Sequence, residues 1–198
     1  MNSNLNVLRK EIRLKRKKVN RFEHKKNEQQ VLNRLRSSSQ FKSAKKVGLY
    51  LHAFGEIHTK KLIQLCFQHK KQVYLPMICT MNQNLVWVKI NSNQYINKRF
   101  SHHPLGMKEP MASRGDHVST LDLLIMPLLA CDHRGTRIGM GGGFYDRSLA
   151  YQASRKTWKK PLLLGLAHEC QKVERLAQAS WDVPLKGTVS DRGWYLAP

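Results

Sequence analysis

The sequence predicts an α/β fold: a mainly parallel central sheet flanked by helices in three layers, with basic helices at the N-terminus. Three observations carry that prediction. Short apolar runs alternate with segments of helical spacing, the pattern of strand–helix–strand units. The run Leu121–Met126 (LDLLIM) is apolar almost throughout and is closed by Pro127, as in a parallel strand buried on both faces. A glycine-rich loop then follows this run and opens a helix from about Phe144 to Tyr151.

The elements follow in order. Leu5, Leu8, Ile12, Val19, Phe22, Val31, Leu32 and Leu35 recur at roughly helical spacing between basic positions. Residues 5–36 therefore read as two helices, or as one broken near Asn20, with Ser37–Ser39 marking the end. Lys46–Leu51 (KVGLYL) is a first buried strand. Thr59 is placed to cap a helix running to about His69, whose apolar side holds Leu62, Ile63, Leu65, Cys66 and Phe67. Gln72–Leu75 is a second strand, stopped by Pro76, and Leu85–Ile90 (LVWVKI) alternates as a third. Asn91–Asp116 is polar and rich in turns. Pro161–Leu166 (PLLLGL) is another buried run, and Thr188–Ser190 and Trp194–Leu196 are short strand candidates. No repeat and no interdomain linker is visible, so residues 1–198 read as a single domain.

Composition bounds the function. Of 198 residues, 41% are apolar, enough for one ordinary core, which excludes a disordered chain. Lys plus Arg is 35 against 13 Asp plus Glu, a net charge of +22. Residues 1–46 alone carry 15 basic and 3 acidic side chains, so the positive density concentrates at the N-terminus. Candidate partners are nucleic acid, an anionic membrane, or a polyanionic small molecule such as a nucleotide. Cys66, Cys79, Cys131 and Cys170 lie far apart with no C-x-x-C pair, and read as free core thiols rather than a zinc site. The first 18 residues hold no apolar signal core, and the longest apolar run is far short of a bilayer span. A reduced, cytoplasmic, soluble protein is expected.

The segment Cys131–Arg147, CDHRGTRIGMGGGFYDR, carries the chemistry. Gly139, Gly141, Gly142 and Gly143 remove side chains where phosphates can approach the backbone, and successive N–H groups would face the anion. Arg137 and Arg147 flank the loop as cations for phosphate, and Asp146 is a candidate magnesium ligand. The spacing fits neither G-x-x-x-x-G-K-[ST] nor G-x-G-x-x-G. A flexible turn between sheet and helix is the alternative for the loop alone.

With these residues in view, GTRIGMGGGFYDR resembles the signature of the 5-formyltetrahydrofolate cyclo-ligase family, also called 5,10-methenyltetrahydrofolate synthetases. LRKEIRLKRKKV is similar to the family's opening basic helix. YLHAFGEIHT resembles its first strand and following turn, GMKEP a mid-chain motif, and WDVPLKGTVSDRGW its C-terminal segment. Phe144 stands where many members carry a tyrosine, and Asp191 departs from the family pattern and is given no role. The resemblance spans about residues 7 to 195. It implies an ATP- and Mg2+-dependent closure of 5-formyltetrahydrofolate to the 5,10-methenyl compound, by a protein that acts as a monomer on small molecules, with no specific nucleic acid and no membrane.

The resemblance also implies roles. Asn6, Val7, Leu8, Arg9 and Lys10 would join Arg137, Ile138, Gly139, Met140, Gly141, Gly142, Gly143, Phe144 and Tyr145 in an ATP site. Arg13 and Arg16 lie one and two turns further along the basic helix. Arg137, Tyr145 and Asp146 would be catalytic. Asp146 would hold magnesium with Asp182, the alternatives being a salt bridge from Asp146 to Arg147 and a turn cap by Asp182. Leu51, Glu56 and Tyr145 would line the folate site, with Glu56 accepting hydrogen bonds from the pterin and Met107, Lys108 and Glu109 at its border. Trp87 reads as core. His102, His103 and His133 have no metal-type partner at suitable spacing, and the nine histidines read as scattered surface or structural residues.

Overall fold

The computed structural model describes residues 2–154 and 160–197. Helix α1 (Asn2–Lys17) and helix α2 (Arg21–Ser37) are separate, and Asn20 divides them. Its side chain accepts from the amides of Phe22 and Glu23 at 2.9 Å each. Glu23 returns the bond to the Asn20 amide at 2.8 Å, closing a capping box that starts α2 afresh. Ser38 ends α2 and caps a short helix the pattern does not announce, α3 (Ser39–Ser43).

The chain continues through strand β1 (Lys46–Gly48), helix α4 (Lys60–Gln68), β2 (Gln72–Ile78) and β3 (Leu85–Ile90). Helix α5 (Ser92–Ile96) and the antiparallel pair β4 (Phe100–His102) and β5 (Lys108–Pro110) fill the polar stretch read as turns. Then come β6 (Leu123–Pro127), a two-stranded hairpin of β7 (Ala130–Cys131) and β8 (Arg137–Ile138), α6 (Phe144–Leu149) and α7 (Tyr151–Ser154). Strands β9 (Leu162–Ala167), β10 (Gly187–Ser190) and β11 (Trp194–Leu196) close the domain.

Seven strands form one sheet in the order β11-β10-β9-β6-β1-β2-β3. The five inner strands are parallel, and both edges are antiparallel. The mainly parallel sheet expected from the apolar runs is therefore present, and alternate side chains of each strand feed opposite faces. Leu123 and Ile125 join Val31, Leu35, Leu62 and Ile63 in one core under α2 and α4. Leu124 and Met126 join Trp87, Leu121 and Leu149 in a second core under α6. The result is the three-layer arrangement. Asp122 fixes the start of β6 against the start of β1 by accepting the amides of Lys45 and Lys46 at 3.0 and 2.9 Å.

Three expectations are corrected. Strand β2 does not stop at Pro76 but runs through it to Ile78. Pro76 faces Trp87 across the ladder, and Trp87 turns its own N–H and C=O away, to Asp116. This is a non-hydrogen-bonded pair, so the missing proline N–H costs the β2–β3 ladder nothing. Strand β1 ends at Gly48, three residues early, because the chain turns into the 50s loop. Thr59 occupies the cap position of α4 without capping it: its hydroxyl donates instead to the Tyr50 carbonyl at 2.6 Å.

The β7–β8 hairpin is locked by a close approach at its turn. Gly135 has φ +81° and its carbonyl accepts from the Leu185 amide at 2.8 Å; a β-carbon there would fall on the Leu185 carbonyl oxygen. Gly135→Ala is expected to lower stability in urea unfolding by about 1–3 kcal/mol. An unchanged midpoint would contradict the close approach.

Candidate active site

The 50s loop and the glycine-loop segment, both singled out by sequence, leave the carboxyl ends of parallel strands, and a third segment joins them there. The 50s loop follows β1, Leu128 and the hairpin follow β6, and His168 follows β9. In open α/β sheets this is the edge where ligands bind. At the opposite edge, a depression of about 590 Å3 lined by Gln40, Lys45, Asp122 and Lys160 gathers none of the predicted site residues.

Helix α1 reaches this edge by hydrophobic packing. Ile12 is buried with Leu129, Ala130, Ile138 and Leu176, and Leu5 and Leu8 pack against that cluster. The opposite side of the helix then carries Lys10 and Val7 into solvent. Between these faces, Arg9 donates to the Gly139 carbonyl (3.3 Å) and to Asn6 Oδ1 (3.0 Å), and Arg13 donates to the Met140 carbonyl (3.4 Å). The structure thus brings the N-terminal cations onto the glycine loop, 130 residues away in sequence.

The loop itself is built open. Gly141 has φ +111° and Gly143 φ +64°, both in the region that favours glycine. A β-carbon at Gly139 or Gly141 would meet nothing within 4 Å, so the fold's own packing does not demand glycine there. Arg147 donates to the Gly142 carbonyl at 2.9 Å and lies over the Phe144 ring. With the carbonyls of Gly139, Met140 and Gly142 held by arginines, the five amides from Gly139 to Gly143 have no acceptor among the described residues. Free amides beside guanidinium groups are the donors that an anion-binding concavity uses.

Arg137 and Asp146 are engaged with each other. Arg137 is buried; its Nη2 donates to Asp146 Oδ1 at 2.6 Å and its Nη1 to the Val183 carbonyl at 2.7 Å. The salt-bridge partner of Asp146 is therefore Arg137 and not Arg147, and Asp146 Oδ2 carries no bond among the described residues. Asp182, next to Val183, accepts from the Ala179 amide at 2.8 Å and closes a turn. Among the described residues no group of three or more His, Cys, Asp or Glu is arranged to hold a metal. One free carboxylate oxygen beside a phosphate site still suits Mg2+, which takes one or two carboxylates and completes its shell with phosphate and water.

The residues expected around the folate converge on the 50s loop. Leu51 packs against the first core. Phe54 and Gly55 both have positive φ, 50° and 78°, and bend the loop so that Glu56 Oε2 accepts the Ala53 amide at 2.9 Å. Burial drives the Glu56 carboxyl up to about 7, against the opposing pull of the Ala53 N–H and of Arg16. Tyr145 packs by Trp87 with centroids 6.3 Å apart, and burial followed by the Glu56 charge raises its hydroxyl far above the usual range. Glu56 and Tyr145 are thus electrostatic neighbours although they come from the 50s loop and α6. Glu109 is engaged elsewhere, accepting the Ile78 amide at 2.8 Å, and Lys108 is exposed. Trp87 is core, as expected.

Sequence reading misses a gathering of histidines. His52 stacks on His58 (4.1 Å), His58 on His24 (5.0 Å), and His24 meets His168 edge-on (4.7 Å). Burial first, then the other histidines and Arg16, pushes His168 down to about 3. Desolvation of the stacked ring and then His58 lower His52 to about 4, although one edge of the residue stays exposed. The four residues come from three segments far apart in the chain, α2, the 50s loop and the end of β9, so no local spacing signals the cluster.

This is an α/β protein with a cation-flanked glycine loop at the carboxyl edge of a parallel sheet, packed against a basic N-terminal helix. The chain belongs to the 5-formyltetrahydrofolate cyclo-ligase family, whose model matches residues 2–191. It is 34% identical over 183 residues to the 5-formyltetrahydrofolate cyclo-ligases of Haemophilus influenzae and of Escherichia coli K12. Each alignment covers 90% of this chain, with 92% and 96% of the relatives. The structure matches the NMR structure of Aquifex aeolicus 5,10-methenyltetrahydrofolate synthetase with a TM-score of 0.79 and 27% identity, over 96% of this chain and 91% of that one.

The histidines predict the acid response of the fold. A histidine whose folded value lies below the unfolded 6.5 contributes stability that is present above 6.5 and is lost as pH falls toward the folded value. Glu56 has the opposite sign: its contribution is present below 4.5 and is lost as pH rises through about 7. Stability should therefore fall between pH 7 and pH 5 through the histidines. His168→Gln should shrink that fall by about 1–2 kcal/mol in urea unfolding. A fall as steep as that of the unsubstituted protein would refute the assignment to His168.

Proposed function

We propose that the protein is an ATP-dependent 5-formyltetrahydrofolate cyclo-ligase. The observation that carries this reading beyond family membership is the row of free amides from Gly139 to Gly143, set against Arg9 and Arg13. That arrangement suits the triphosphate of ATP. Asn6 and Arg9 of α1, with Arg137 to Tyr145, line the nucleotide, while Val7 and Lys10 lie on the solvent side and Leu8 packs the helix down; Leu51, Glu56 and Tyr145 line the folate. The γ-phosphoryl group passes from ATP to the formyl oxygen, and ADP leaves. The folate N10 then attacks the activated formyl carbon, and phosphate leaves as the five-membered ring closes and the N10 proton is lost. The protein's work is positioning and charge stabilisation, which fits a site without a covalent nucleophile.

Each residue has a task in that scheme. The glycine amides and Arg9 orient the phosphates. Arg137 holds Asp146, whose free Oδ2 is where Mg2+ would be carried, with Asp182 as the second carboxylate; the ion would neutralise phosphate charge. Tyr145 and Glu56 hold the folate across from the loop. The partners are small molecules, and the protein works as a cytoplasmic monomer with no specific nucleic acid. Among the described residues no helix is long and apolar enough to cross a membrane.

The purified protein, given ATP and Mg2+, should convert 5-formyltetrahydrofolate to the methenyl compound, followed by its absorbance. Absence of product would refute the reading. Gly139→Ala should raise the KM for ATP by about tenfold, the cost of roughly one lost phosphate contact, while the melting temperature stays nearly unchanged because the added carbon meets no neighbour and the backbone there is not left-handed. An unchanged KM would remove the loop from the nucleotide site.

A further inference from the structure

Among the charged side chains of α1, only Arg16 is enclosed, at 2% exposure. Its one hydrogen bond is long, 3.4 Å from Nη1 to the Leu128 carbonyl. Its buried Nε has no partner, and the guanidinium makes no ion pair among the described residues. Taking such a group out of water without a close counter-ion is strongly unfavourable for folding alone. A hydrophobic residue would fill the space at lower cost, so the charge itself points to a task.

The geometry says where. Arg16 Cγ and Nε lie 3.6 and 3.7 Å from the point where a β-carbon on Gly55 would stand. The guanidinium stem therefore packs on the left-handed turn that presents Glu56. Glu56 is half-buried and has no hydrogen bond besides that from Ala53 among the described residues. The two charges are each other's main electrostatic partners.

We propose that Arg16 is a positioning residue of the folate site: it supports the Gly55–Glu56 turn and supplies the counter-charge for the Glu56 carboxylate. This rests on the cyclo-ligase reading for the identity of the ligand, but not for the pairing. The groups that act on Glu56 or feel its charge are Arg16 from α1, Tyr50 from the 50s loop and Tyr145 from α6. Arg16 is faced in turn by Arg13, His24, His168 and Cys170. Burial depresses both histidines, so they stay neutral near pH 7 and add no second positive charge. Arg16 is thus the cation that acts on Glu56, and the carboxylate can remain an acceptor for ligand N–H groups.

The test uses the full chain with Arg16→Met and Arg16→Lys, and Glu56→Gln to identify the Glu56 signal. Carbon-13 NMR of the glutamate carboxyls, with no ligand present, follows the Glu56 midpoint. It should lie near 7 in the unsubstituted protein. It should rise to about 8 or above in Arg16→Met, with a smaller rise in Arg16→Lys, whose compact ammonium cannot occupy the same place. The KM for 5-formyltetrahydrofolate at pH 7.5 should then rise about tenfold in the methionine variant, recover at pH 9, and outweigh any change in kcat. A midpoint that stays near 7 in a folded variant overturns the proposal. If the methionine variant does not fold, the lysine variant decides by the same criterion. Because the NMR titration needs no turnover, a wrong activity assignment would leave it standing, while an inactive protein with a shifted midpoint would fault only the cyclo-ligase reading.

Discussion

The site depends on one packing contact, that of α1 with the β7–β8 hairpin. Ile12 is 1% exposed and lies with Leu129, Ala130 and Ile138, which belong to or flank that hairpin. Burying an isoleucine here is worth about 1.5–3 kcal/mol, and that energy holds a helix of high positive charge against a loop already flanked by arginines. Without the apolar seam, repulsion would drive the two apart. With it, Arg9 and Arg13 turn inward to the loop carbonyls, and the amides of the same loop are left for an anion.

The sheet decides what else arrives there. Because β1, β6 and β9 run parallel, their carboxyl ends lie side by side, and the chain segments leaving them share one edge. Glu56, Leu128 and His168 meet for this reason alone. The Asp122 carboxylate, holding the amides of Lys45 and Lys46 at the other edge, helps set the register from which those ends project.

The fold was largely legible in the chain because parallel strands are buried on both faces: LDLLIM and PLLLGL have almost no polar interruption, and such runs have few other destinations. The glycine loop was legible because consecutive glycines are costly unless backbone must stay bare. What sequence could not carry depends on partners far along the chain. Pro76 continues a strand only because Trp87 bonds to Asp116. The two-residue strands β7 and β8 have no pattern of their own. The four histidines and the buried Arg16 become neighbours only through the sheet. Asp146 could be named as a site carboxylate, while its pairing with Arg137 needed the turn of α6 to be known.

The basic N-terminus changes meaning in this setting. Of its 15 cations, Arg9 and Arg13 face the loop and Arg16 faces Glu56. Most of the others are solvated, and nothing in the structure explains their number. On the proposed function, α1 and the glycine loop together receive a triphosphate. Nitrogen-15 NMR of the amides of residues 139–143 during titration with ATP and Mg2+ tests it most directly. These amides should shift together and saturate with the binding curve, and Ile12→Ala should weaken that curve. ATP that binds while leaving the loop amides unmoved would contradict it.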